Sequence, residues 1–302
     1  MENQPEVFEV VIIGGSYAGL SAALTLGRAM RQVLVLDSGQ PCNRMTPHSH
    51  NFLTHDGQPP AAIAAQARAE ALAYPTVQLL PEAAVAAQGT DRDFTVTTAS
   101  GRVVRARKLL FATGVRDLLP ARPGFAECWG VSAIHCPYCH GYEYRDQPTG
   151  ILLNGDAAVE QARLIRNWTP QLTIFTDGES TIAPGHQSAL AALGVHVEET
   201  PVQELAHQGG HLTHVGLADG RRVPLPALYL RPGLEQHCDL PRELGCAHTE
   251  AGYLAVEMFQ QTSVPGIYAA GDAATMLRSV SAAVAAGTLA GAMLNRELLP
   301  PL

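Results

Sequence analysis

Residues 7–13 form an apolar and β-branched run interrupted only by Glu9, the pattern of a strand buried on both faces of a parallel sheet. A glycine-containing turn follows at 14–19, then an Ala/Leu-rich helix at 19–30 and a second strand at 32–37. Together these predict a βαβ unit, the opening half of a doubly wound sheet. Residues 61–73, rich in alanine and poor in breakers, predict another helix. Short strands at 77–80, 94–98 and 102–106, the last two joined through Ser100 and Gly101, predict a small antiparallel insertion. An apolar strand at 108–112 then runs into Thr113 and Gly114.

Two prolines and a glycine within 118–124 mark a boundary. Beyond it the βαβ pattern recurs, with a strand at 150–153, a turn at 154–158, a helix at 158–168 and a strand at 171–176. A second boundary falls at Pro232 and Gly233, and the remainder holds a strand at 266–270 and an Ala-rich helix at 279–297. The expected class is α/β, with two Rossmann-like dinucleotide-binding domains, the second inserted into the first. Residues 1–116 and 234–302 would form the first and 117–233 the second.

Composition narrows the class. At 302 residues, 46% hydrophobic and 16% charged, the chain can bury a sizeable core and is not disordered. A net charge of −8 argues against nucleic acid or an anionic membrane as the main partner. The first residues lack a basic segment followed by an apolar one, and no apolar run approaches the roughly 18 residues of a membrane helix. A cytoplasmic protein is therefore expected, with most thiols reduced. Of Cys42, Cys128, Cys136, Cys139, Cys238 and Cys246, only one pair is closely spaced.

Two segments carry candidate chemistry. The first, Gly14-Gly15-Ser16-Tyr17-Ala18-Gly19, fits G-x-G-x-x-G with Ser16 in place of the middle glycine. Such a loop needs a tight turn at Gly14 and close helix–strand contact at Gly19, so that N–H groups at the helix start, near Ser16 and Ala18, face a pyrophosphate. Asp37, at the end of the second strand, suits a ribose hydroxyl. The strand ends at Ala112 to Gly114 and at Gly271 and Asp272 offer small residues and an acid beside the same ligand.

The second segment is His135-Cys136-Pro137-Tyr138-Cys139-His140. Two cysteines at this spacing can close a small ring, one thiolate acting as nucleophile and the other resolving the mixed disulfide. Flanking histidines can move protons. A zinc reading would need His135 and His140 as the further ligands, because Cys238 and Cys246 are too widely spaced to complete the set. No metal is expected.

These motifs in order, I-I-G-G-S-Y-A-G-L at 12–20, A-T-G at 112–114, C-P-Y-C at 136–139, A-V-E-Q-A at 158–162 and P-G-I-Y-A-A-G-D at 265–272, resemble the low-molecular-weight thioredoxin reductases. The string C-P-Y-C-H-G-Y-E at 136–143 is more similar still to dithiol oxidases of the gliotoxin and holomycin type and their bacterial relatives. The resemblance covers essentially the whole chain. It implies a homodimer with one FAD per subunit, and a thioredoxin-like protein or a small disulfide or dithiol as partner. It places Cys139 nearest the flavin and Cys136 toward the substrate. Gly271 and Asp272 would lie beside the ribityl chain, Asn51 on the flavin side, and the helix start near Val280 against the ring.

Three positions depart from the reductase pattern. His140 stands where thioredoxin reductases carry an aspartate as proton donor, and a histidine can do that work, with Glu143 to orient it. Leu153, in the second phosphate loop Leu153-Asn154-Gly155-Asp156-Ala157-Ala158, replaces a glycine and crowds the turn. Asp177 stands where arginines grip the 2′-phosphate of NADPH; it would repel that phosphate and could accept from a 2′-hydroxyl. NADPH is thereby disfavoured, leaving NADH, another donor or no pyridine nucleotide open. His48, His50 and His55 are expected on a surface loop, with the lining of a substrate entrance near Asn51 as the alternative.

Overall fold

The computed structural model describes residues 5–300. Strand β1 (Glu6–Ile13) leads through helix α1 (Tyr17–Arg28) to β2 (Val33–Leu36), then through α2 (Pro60–Leu72) to β3 (Val77–Leu80). A hairpin of β4 (Ala84–Thr90) and β5 (Asp93–Thr98) returns to β6 (Val103–Phe111). These strands form one sheet in the order β3-β2-β1-β6-β5-β4. The apolar run of β1 does not alternate because both its faces are covered: Val10 and Ile12 enter one buried cluster, Val11 and Ile13 the other.

The chain crosses to a second sheet through β7 (Val115–Leu118) and α3 (Phe125–Cys128). It continues as β8 (Ala133–Ile134), α4 (Pro137–His140), β9 (Thr149–Leu152), α5 (Gly155–Ile165), β10 (Leu172–Phe175), α6 (Pro184–Ala192) and β11 (His196–Glu198). An antiparallel set follows, β12 (Val202–Gln208), β13 (His211–Leu217) and β14 (Arg222–Pro224), before β15 (Ala227–Leu230). The second sheet runs β11-β10-β9-β15-β8, all parallel. The return passes through β16 (Gly233–Gln236), which pairs antiparallel with β7, and α7 (Leu240–Glu243). Strand β17 (Ile267–Ala269) then joins β6 in the first sheet, and α8 (Val280–Glu297) packs on α1.

The sequence pattern errs in identifiable ways. The expected strands at 102–106 and 108–112 are one strand, β6, which runs on through Arg107; the Lys108 amine within it is buried against Asp91, at 2.7 Å, and Glu297. The turn expected at 154–158 is the first turn of α5, capped by Asn154. Alanine-rich β4 has no β-branched signal beyond Val85 and Thr90 and is a strand through its pairing with β5. Residues 178–231, whose pattern predicts no element, fold as α6, β11 to β14 and β15.

Helix α8 carries glycine where it meets α1: a Cβ on Gly287 would lie 2.1 Å from the carbonyl oxygen of Ala18. Ser21 Oγ, on α1, donates to the Val284 carbonyl at 2.8 Å across the same contact. No helix among the described residues is long and apolar enough to cross a membrane. Gly287→Ala is predicted to lower stability by about 1–3 kcal/mol, the usual range for overpacking, in urea unfolding; an unchanged midpoint would contradict the close approach.

Candidate active site

The C-terminal ends of β1 and β6 lie side by side, and the loop after β1 turns sharply between them. Gly14 has φ +108°, and a Cβ there would lie 2.2 Å from the carbonyl oxygen of Ala112. Only glycine fits this turn. Ser16 sits at the N-cap position of α1 with extended backbone, φ −94°, so it needs no glycine, and its side chain makes no capping hydrogen bond. The N–H groups at the start of α1 are therefore left for another partner.

This loop opens onto a cavity of about 630 Å³, a size that takes a large organic ligand. Gly14, Ser16 and Ala18 line it from α1, Asp37 from the end of β2, and Ala112 and Gly114 from the end of β6. Gly271, Asp272 and Val280 line it between β17 and α8, and Cys139 and His140 from α4. Gly19 and Asn51 do not reach it. Gly19 instead faces the Gly14 carbonyl, 1.9 Å from where its Cβ would be. Asn51 is exposed in a left-handed turn, φ 61°, with its N–H donating to Asp56 Oδ1 at 2.8 Å. Its neighbours Ser49 and His50, with His48, line the cavity in its place. His55 stacks on Phe52 at 5.4 Å, away from it.

Cys136 and Cys139 are joined as a disulfide, with Cα atoms 5.3 Å apart. Pro137 starts α4 at its first turn, where a missing N–H costs nothing. The helix turns Cys139 into the cavity, whereas Cys136 does not line it. His135 stacks on Trp129, with ring centroids 5.8 Å apart. Burial, with Arg278 adding to it, pushes the His135 pKa down to about 4. Burial also lowers that of His140. Both imidazoles are thus neutral near pH 7. Glu143 does not hydrogen-bond His140, as the sequence had suggested; it lies 3.6 Å from His50 Nε2, whose Nδ1 is 3.5 Å from Asp56. Among the described residues no group of His, Cys, Asp or Glu is placed to hold a metal ion.

The polar groups of the cavity are incomplete without a ligand. Thr113 Oγ1, His135 Nε2 and both ring nitrogens of His140 are buried with no hydrogen-bond partner, a state that native interiors avoid. All three residues line the cavity. Asp37 accepts from Arg68 Nη2 at 3.0 Å and from the Gly39 N–H at 3.1 Å, which leaves each oxygen a second lone pair at the cavity wall. An open helix start, this carboxylate and the unpaired atoms fit a dinucleotide whose ring system ends beside Cys139.

A family model described as pyridine nucleotide-disulphide oxidoreductase matches residues 8–287. The chain belongs to this family. It is 33% identical to the thioredoxin reductase sirT of Leptosphaeria maculans, across 99% of this chain and 97% of that one. It superposes on an oxidoreductase from Agrobacterium tumefaciens with a TM-score of 0.91 at 40% identity, covering 98% and 99% of the two chains. The protein HlmI gives 0.88 at 35% identity, with 99% and 93% covered. The chain is thus a thioredoxin reductase-like, FAD-dependent disulfide oxidoreductase built on two dinucleotide-binding folds, as its motifs imply.

The family name includes a pyridine nucleotide, and its seat would be the start of α5. There Asn154 Oδ1 accepts from the N–H of Gly155 at 2.8 Å and from that of Thr181 at 2.9 Å, while its Nδ2 donates to the Glu179 carbonyl at 2.9 Å. Asn154 thus takes the first N–H of the helix. Asp177 is not free for a ribose hydroxyl, contrary to expectation. Arg122 donates to its two oxygens at 2.8 and 2.7 Å, and the Val202 N–H donates at 2.9 Å. Burial works upward on the Asp177 pKa, but these bonds hold it below the usual value. A cavity of about 310 Å³ remains here, bordered by Leu153, Asn154 and Asp177.

Sequence reasoning missed Asp117, Trp129 and Arg278, which also line the larger cavity. The available signal was an acid just past Gly114 and a cation directly before the helix cap Ser279. His135 yields a pH prediction. Folding keeps it neutral down to about pH 4, while the unfolded chain binds a proton near 6.5. The unfolded state holds more protons in that window, so stability falls as pH drops through it. In His135→Phe, which keeps a ring against Trp129, the loss between pH 7 and 4 should shrink by up to about 3 kcal/mol in urea unfolding. An unchanged pH dependence would contradict neutral burial of His135.

Proposed function

We propose that the chain is an FAD-dependent dithiol oxidase, in which electrons enter from a dithiol substrate through Cys136 and Cys139 rather than from a pyridine nucleotide. The observation that carries this reading is the contrast between the two helix starts: that of α1 has no side-chain cap and shares a cavity with Cys139, whereas at α5 Asn154 takes the first N–H and the neighbouring Asp177 is held by Arg122. In this reading the start of α1 holds the pyrophosphate of FAD, Asp37 a ribose, Gly271 and Asp272 the ribityl region, and Val280 the ring. FAD supplies a two-electron acceptor beside Cys139.

The chain's own residues do the thiol chemistry. A substrate thiolate attacks Cys136 Sγ, breaking the Cys136–Cys139 bond and releasing the Cys139 thiolate. The second substrate thiol attacks the mixed disulfide and frees Cys136, so the substrate leaves oxidised and the pair holds two electrons. His140, neutral and beside Cys139, takes up the proton that accompanies them. Cys136 and Cys139 re-form their bond as they give up the two electrons and two protons, and oxygen, the final acceptor, takes these as hydrogen peroxide. Cys42 lines the open cavity but takes no part: the surrounding protein and then the Asp272 carboxylate push its thiol well above the usual value, far from a thiolate.

The proposal extends to a cytoplasmic homodimer acting on a small dithiol or a dithiol protein of the thioredoxin kind. Residues 1–116 and 234–302 would form the FAD unit and 117–233 the unit carrying the dithiol; the pairing of β17 with β6 supports that division. Oxygen consumption with a dithiol tests the chemistry. Cys136→Ser and Cys139→Ser should each retain FAD and lose turnover on the order of 10³-fold or more. Substantial turnover by either variant would contradict the proposal.

A further inference from the structure

One corner of the cavity carries charge that the thiol steps do not use. Arg278 donates from Nη1 and Nη2 to the two oxygens of Asp117, at 2.6 and 2.9 Å, and from Nε to Asp272 Oδ2 at 3.4 Å. The Arg278 side chain is 12% exposed and that of Asp117 8%, so little water screens them. All three residues line the cavity, along with Cys139 and His135. Their elements come from far apart in the chain. Asp117 lies on β7, one of the two strands that join the sheets. Arg278 directly precedes Ser279, whose Oγ caps α8 by accepting from the Ala282 N–H at 3.2 Å. The parallel two-point bond to Asp117 fixes the plane of the guanidinium. Asp272 meets only the third donor nitrogen, at longer range.

We propose that Arg278 is the cation that sets the field at the electron-accepting end of this cavity, and that Asp117 is the positioning residue that holds it there. The proposal rests on the reading that the cavity holds FAD. Two electrons delivered into the cavity bring negative charge. A fixed cation favours their arrival, and each carboxylate near it opposes it. The signs follow: loss of the Arg278 charge makes bound FAD harder to reduce, and loss of the Asp117 charge makes it easier.

The test measures FAD content and the midpoint potential of bound FAD in the wild type and in Arg278→Gln, Arg278→Lys and Asp117→Asn. Arg278→Gln should lower the potential and Asp117→Asn should raise it, each by about tenfold in the reduction equilibrium, which is about 30 mV for a two-electron couple. Arg278→Lys, which keeps the charge but not the two-point bond, should stay near the wild-type potential. A merely structural pair would not give opposite shifts from its two members. Shifts of the same sign, or none, in FAD-containing variants would overturn the proposal alone, as would a failure of all three variants to hold FAD. Wild-type protein that takes up no FAD would overturn the reading of the cavity, and the proposal with it.

Discussion

The N–H groups that begin a helix must be satisfied by something, and this chain satisfies them differently at two equivalent places. At α1 the side chain of Ser16 stays out of the cap, and the turn at Gly14 brings the end of β6 so close that only a thin loop separates strand from helix. At α5 the first N–H goes to Asn154, which also ties down Thr181 and Glu179. Two βαβ units of the same design thus differ in one decisive respect. One leaves its first N–H groups without a side-chain cap beside the large cavity, and the other gives its first N–H to its own amide.

The rest of the site follows from which helix start is left uncapped. The dithiol lies on α4, in the segment between the two sheets' main strands, yet Cys139 faces the cavity built by the first sheet. Around it the chain places neutral imidazoles with unpaired nitrogens rather than charged ones. Such groups can donate or accept as a ligand requires, and they do not trap charge permanently beside the sulfur. The fixed charges stand in the set of Asp117, Arg278 and Asp272, near enough to act on His135. On the second sheet, Arg122 and Asp177 neutralise one another where a phosphate-binding cation would be needed.

Much of this was legible in the sequence, for physical reasons. The C-terminal halves of β1 and β6 are buried on both faces, so their apolar runs are hard to misread; the exposed, alternating first half of β6, with Arg105 and Arg107, split that strand in the sequence pattern. The glycine loop and the dithiol are local motifs, whose geometry is set by neighbours in the chain. Strands β12 to β14 were not legible, because they form a partly exposed meander with polar residues throughout. Asn51 was placed in the cavity by resemblance, but its left-handed backbone leaves it exposed and puts Ser49 and His50 in its position. Asp117 and Arg278 are 161 residues apart, and Arg122 and Asp177 are 55 apart. No spacing rule joins such pairs; only the packing of the two sheets does.

The central claim is that electrons enter this flavoprotein through its dithiol and not through a pyridine nucleotide. The most direct measurement follows the flavin absorbance without oxygen while NADPH, NADH and a dithiol are added in turn. Rapid bleaching by the dithiol, with neither nucleotide matching it, is the predicted result. Rapid bleaching by NADPH, with the dithiol inert, would contradict the account.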